Sequence, residues 1–207
     1  MRRIRYRQFI ALLVLAFGTR QSAGAVPTLA EACPGAAAWT FDHPLVSQRA
    51  SAPEARDAGL LADLQARVEK DQSARRRWLS DPKNEELARA VESIDGENLV
   101  WLKQLVSERG FPTASQVGNE GVHLAWILLQ HADRDPEFQS RLLPILESRY
   151  LAGELPANDF ARMTDRILIA HGKSQKYGTQ FDWFSGNFQL PEPSKLAEID
   201  SDRSRVG

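Results

Sequence analysis

Between residues 54 and 170 the apolar positions recur mostly at steps of three and four, the spacing that gathers side chains onto one face of an α-helix. Leu60, Leu61, Leu64, Val68 and Trp78, set among charged neighbours, predict an amphipathic helix over 54–79. Asp81 followed by Pro82 reads as a helix start, an N-cap side chain before a proline whose missing N–H is harmless in the first turn. Leu87, Val91 and Ile94 continue on one face, an interruption is expected at Asp95-Gly96, and Leu99, Leu102, Leu105 and Val106 carry the pattern to a stop at Gly110 and Pro112. The run VHLAWILLQHA, residues 122–132, is apolar nearly all round, so this helix is predicted to lie at the centre of the domain. Asp135-Pro136-Glu137 opens another helix that runs to about Ala152, with Pro144 expected to bend it. Asn158 is expected to cap a last helix through Ile169, ended by Gly172.

Beyond Gly172 the period changes. Tyr177, Thr179, Phe181 and Trp183 share one parity, and Ser185-Gly186-Asn187 supplies a turn before Phe188–Leu190, which predicts a hairpin. The expected fold is therefore mainly α: a single helical-bundle domain over 54–190 with a small C-terminal β-hairpin. Residues 26–53 contain Pro27, Pro34, Pro44 and Pro53 without sustained periodicity and read as a flexible Pro/Ala-rich extension. Residues 191–207 read as a charged tail.

The N-terminus changes the picture of location. Arg2, Arg3, Arg5 and Arg7 precede an apolar run from Phe9 to Phe17, and small residues follow to Ala25. This is the order of a secretory signal peptide over 1–25, and the apolar run is shorter than the roughly 20 residues that cross a bilayer. The chain is expected to be exported, to the periplasm or outside the cell, with no integral membrane segment after signal removal. That segment holds five arginines and no acid, so the remainder carries 21 basic against 27 acidic residues, a formal charge of −6. Such a surface disfavours nucleic acid as a partner. Cys33 is the sole cysteine, so no disulfide within the chain can staple the fold and an apolar core must hold it.

Candidate chemistry collects at predicted element ends. The chain lacks a Gly-x-Ser-x-Gly elbow, a Walker loop, a dinucleotide fingerprint and a His-Glu-x-x-His pair. His123 and His131 are eight residues apart on one helix, about 12 Å along its axis, too far to share an ion; no metal and no cofactor is expected. His131 stands where the apolar helix runs out, and a helix C-terminus is expected to raise its pKa. His131, Asp133 and Tyr177 are the candidate catalytic residues, as base or acid, its orienting carboxylate and a proton donor. Asp165, Arg166, Gln175, Thr179 and Gln180 are the candidate ligand-binding residues, the guanidinium for a carboxylate or phosphate and the amides for a polar ligand. The same residues serve equally as helix caps, local ion pairs and a polar network that fastens the hairpin to the bundle.

Gly110-Phe111-Pro112-Thr113, Val117-Gly118, Gln130-His131-Ala132-Asp133, Gln139, Asp165-Arg166, Gln175 and Tyr177-Gly178-Thr179-Gln180, in this order, resemble the motif series of an uncharacterised bacterial domain family over about residues 54–190. The resemblance implies that these residues belong to one unit, and it implies no activity. The function expected from the sequence is a non-catalytic binding or interaction module for a small molecule, a peptide, an envelope fragment or a protein. Its rivals are a hydrolase or other acid/base enzyme using His131, Asp133 and Tyr177, and a purely structural polar network.

Overall fold

A computed structural model of the chain describes residues 56–180 and 193–206. Among these residues the regular structure is helical throughout: α1 (Ala58–Ser80), α2 (Glu85–Arg109), α3 (Ala114–Gln130), α4 (Pro136–Leu151), α5 (Ala157–Ala170) and α6 (Pro193–Val206). The signal peptide and the extension expected over 1–53, and Phe181–Leu190 of the expected hairpin, lie outside the described residues.

Each helix is started by local chemistry. Asp57 accepts from the Leu60 amide to cap α1, and Asn84 accepts from the amides of Glu86 and Leu87 to cap α2. Thr113 and Gln116 form a reciprocal capping box on α3. Asp135 accepts from Phe138 N with Pro136 in the first turn of α4, as the sequence predicts. Two expected caps move. Asp81 closes α1 rather than opening α2, because Asn84, three residues on, is free of the preceding helix and can turn its amide oxygen onto two donors. Asn158 lies one residue inside α5, whose N-cap position is Pro156.

The interruption expected at Asp95-Gly96 is absent, and α2 runs unbroken through it. Nothing rigid surrounds Gly96: the atom nearest to a Cβ there would be a guanidinium nitrogen of Arg134 at 3.2 Å, the far end of an exposed side chain. The break falls in α3, where Gly118 adopts φ 70° and ψ 169°, a conformation that excludes side chains.

Helix α3 packs against both α1 and α2, while α4 packs on α5 and α5 on α6. Val122, Ala125, Trp126, Ile127, Leu128, Leu129 and Gln130 are buried around most of the circumference of α3, which places it at the centre, as its apolar sequence predicts. Leu64, Leu102, Leu146 and Met163 from the surrounding helices complete the core. The indole of Trp126 donates to the carbonyl of Asp159, so α3 is also tied to the first turn of α5.

The described part of the expected hairpin is a turn, not a strand. In residues 175–180 the amides of Lys176, Tyr177 and Thr179 donate to the carboxylate of Asp165, at 2.7–2.9 Å, rather than to a neighbouring strand. Gly178, at φ 62°, reverses the chain between them. Residues 193–206 form helix α6, where the sequence suggests only a charged tail.

Candidate functional site

The site forms where three helices end or pass one another. On α1 the buried stripe Leu60, Leu64, Val68 continues at helical spacing into Asp71, Arg75 and Trp78. On α2 the corresponding stripe contains Asp95 and Asn98 between Val91 and Leu102. His131 closes α3, and Gln139 from α4 donates to the carbonyls of Leu129 and Gln130 there, holding that end in place.

His131 is 8 % exposed and Asp71 1 %. The Nδ1 of His131 lies 3.1 Å from the Asp71 carboxylate and 3.2 Å from Nε of Arg75. With Asp71 ionised, the proton belongs on Nδ1, donated to Asp71, while Arg75 Nε–H reaches the same carboxylate at 3.4 Å. The Nε2 lone pair is then left as an acceptor, and it makes no hydrogen bond among the described residues. Arg75 also forms a close ion pair with Asp95 through Nη2.

Burial pulls the His131 pKa down from 6.5 to about 4; the charges of Arg75 and Arg166 assist, and Asp71 opposes them. The sequence-based expectation of a raised value is reversed, because loss of hydration outweighs the helix C-terminus. Burial alone would raise Asp71, but the hydrogen bond and charge of His131, with Arg75 and the Gln72 amide, hold it down to about 2. Burial pushes Asp95 up to about 7 against the attraction of Arg75, and the negative charges of Asp71 and Asp133 add to the rise. Three neighbouring groups are thereby separated into an ionised carboxylate, a neutral imidazole and a carboxyl that titrates near neutral pH.

The candidates named from the sequence gather beside this cluster in a second layer. Asp133 does not orient His131; it receives Nε of Arg166 at 2.7 Å and Nη2 in a two-pronged ion pair. Arg166 is 3 % exposed, and its Nη1 reaches the side-chain oxygen of Gln180 at 3.5 Å. The Gln175 side chain holds the Gln180 backbone at both ends, its Nε2 donating to the carbonyl at 2.9 Å and its Oε1 accepting from the amide at 2.8 Å. Asp165, fully buried, holds the turn through the three amides already named and through Thr179 Oγ1 at 2.9 Å. Tyr177 is buried, and among the described residues no hydrogen bond joins it to His131.

Asp71, Arg75 and Asp95 were not among the sequence candidates. Their signal was present as charged residues standing in the apolar stripes of α1 and α2. The donor atoms of Asp71, Asp95 and His131 lie within 4.8 Å of one another, a spacing that could hold a cation. The guanidinium of Arg75 already pairs with both carboxylates, and it supplies the positive charge there. A cleft of about 370 Å³ lies elsewhere, between α1 and α2, walled by Ala74, Leu87, Ala90 and Ile94, and no residue of the cluster lines it.

A mainly helical domain with a buried acid–imidazole–guanidinium cluster at the end of its central helix is the class defined by these features. The chain belongs to a family of unknown function, DUF6624, whose model matches residues 58–207. No curated protein and no solved structure matches it. No helix among the described residues is long and apolar enough to cross a membrane.

Proposed function

We propose that the protein binds a small polar ligand and carries out acid/base chemistry on it, with His131 as the proton acceptor. The Asp71–His131 pair carries this reading. A buried carboxylate fixes one ring nitrogen at 3.1 Å, burial keeps the imidazole neutral, and the other nitrogen retains its lone pair. In this reading Nε2 takes a proton from a ligand hydroxyl or from a water molecule beside it. Asp95, titrating near neutral pH, is the group suited to return one. Arg166, held by Asp133 and Gln180, offers a fixed positive charge toward an anionic part of the ligand.

The test is a panel of chromogenic esters, phosphate monoesters, amides and glycosides with residues 26–207. Turnover of one class is expected, falling about 100-fold or more in His131→Ala and Asp71→Asn with helicity intact. Equal rates in wild type and His131→Ala would falsify the catalytic reading and leave a binding module. Export belongs to the same proposal and rests on the order of residues 1–25. Fusing those residues to a reporter active only outside the cytoplasm should give signal, and replacing Leu12 and Leu13 by Arg should remove it.

A further inference from the structure

We propose that α6 is a detachable strap over the turn of residues 175–180, and that Arg203 is a positioning residue that sets this turn against Arg166. The proposal rests on the reading above only for its chemical consequence, control of access to the His131–Arg166 region. The turn is gripped from two sides. From the bundle, Asp165 binds its amides. From α6, Nε of Arg203 donates to the carbonyl of Tyr177 at 2.8 Å and Nη2 to that of Gly178 at 3.4 Å. Helix α6 also lies directly on Gly178: a Cβ there would stand 3.4 Å from Arg203 Nη2 and 3.7 Å from Ile199 Cδ1. Two residues beyond Gly178, Gln180 meets Arg166.

The two grips differ in strength. Asp165 is fully buried and makes four charge-assisted hydrogen bonds to the turn. Along residues 195–206 of α6 only Ile199 is buried, with Asp202 and Val206 half-buried, and Tyr150 donates to the Val206 carbonyl at 3.3 Å. The helix is 14 residues long. Isolated helices of about that length are marginal in water, so α6 persists only while it is docked and belongs to the low-stability end of the molecule. When it leaves, the carbonyl clamp on Tyr177 and Gly178 goes with it. The contact between Gln180 and Arg166 at the far end of the turn is long, at 3.5 Å, and in this proposal it is the next to be lost, while Gln180 stays on the Arg162 carbonyl at 3.2 Å.

Hydrogen exchange on the full chain tests this without any ligand, so its result is independent of whether turnover is found. In wild type, amides 195–206 should exchange about 100-fold faster than amides 122–130 of α3. Arg203→Ala should accelerate amides 176, 177 and 179 about fivefold or more and shift the Arg166 Nε–H resonance, leaving 122–130 unchanged. Arg203→Lys, which keeps the charge and loses the fork, should fall between the two. Protection of 195–206 equal to that of 122–130 would overturn the proposal. So would unmoved turn amides in Arg203→Ala, or acceleration of 122–130 together with them, which would place α6 in the same cooperative unit as the core.

Discussion

His131 and Asp95 respond to pH in opposite senses, and the difference can be read from stability. The folded pKa of His131, about 4, lies below its ordinary 6.5, so the unfolded chain takes up a proton first. The stability it contributes is complete above about pH 6.5 and is lost as pH falls toward 4. Asp95 is raised from 3.8 to about 7, so its contribution is complete below about 3.8 and is lost as pH rises through 7. Between about pH 4 and 6.5 these two slopes oppose one another, and their sum is nearly flat. Each single substitution should unmask the other group. Asp95→Asn should melt progressively lower as pH drops from 6.5 to 4, and His131→Gln progressively lower as pH rises from 4 to 7. Each trend amounts to about 2–3 kcal/mol across its window. Melting curves of both variants that run parallel to wild type over this range would show that neither proton is held as described.

At the scale of elements, most helices were legible because each buries one stripe, and stripes are periodic in sequence. The central position of α3 followed from its nearly uniform apolar character. The turn at 175–180 was not legible, because an alternating run looks the same whether its amides go to a strand or to a buried carboxylate. Nothing local to Tyr177 announces that Asp165, twelve residues earlier, captures its N–H. The cluster itself was half visible. His131 and Asp133 stand where α3 ends, where polar residues draw notice, and Arg166 stands beside Asp165 on α5, whereas Asp71 and Arg75 lie mid-helix and resemble an ordinary i, i+4 surface pair. Glycines were the least legible: Gly96 suggests a break and is continuous helix, while Gly118, which stands out in the sequence only as part of the motif series, is the break. Substitution should separate such roles. Gly118→Ala forces a side chain into φ 70° and should cost about 1–3 kcal/mol in urea unfolding. Gly59→Ala, exposed in the first turn of α1 with its new Cβ at an ordinary 3.6 Å from Asp57, should gain about 0.5 kcal/mol. Equal losses at the two sites would contradict this account of the kink in α3.

For the molecule as a whole, the cluster is a poor way to gain stability, and that bears on why it is there. Leu64, Leu102 and Leu129 fill equivalent interior space at no desolvation penalty, each favouring burial by about 2 kcal/mol. Asp71, Arg75 and Asp95 must each lose hydration that their mutual attraction only partly restores. Removing one partner should therefore be far worse than removing a pair. Arg75→Met alone leaves two carboxylates without their shared cation and should cost about 3–5 kcal/mol. Adding Asp95→Leu removes the carboxyl that Arg75 pairs most closely and should recover most of that loss, with His131 then free to protonate and pair with Asp71. Chemical unfolding of the two variants checks the order. If the double variant is recovered while any activity found in the substrate panel stays lost, the ionic cluster is retained for what it does to a ligand. If the double variant is instead less stable than the single, the attraction among these charges exceeds their desolvation cost and the cluster is a fastening of the fold.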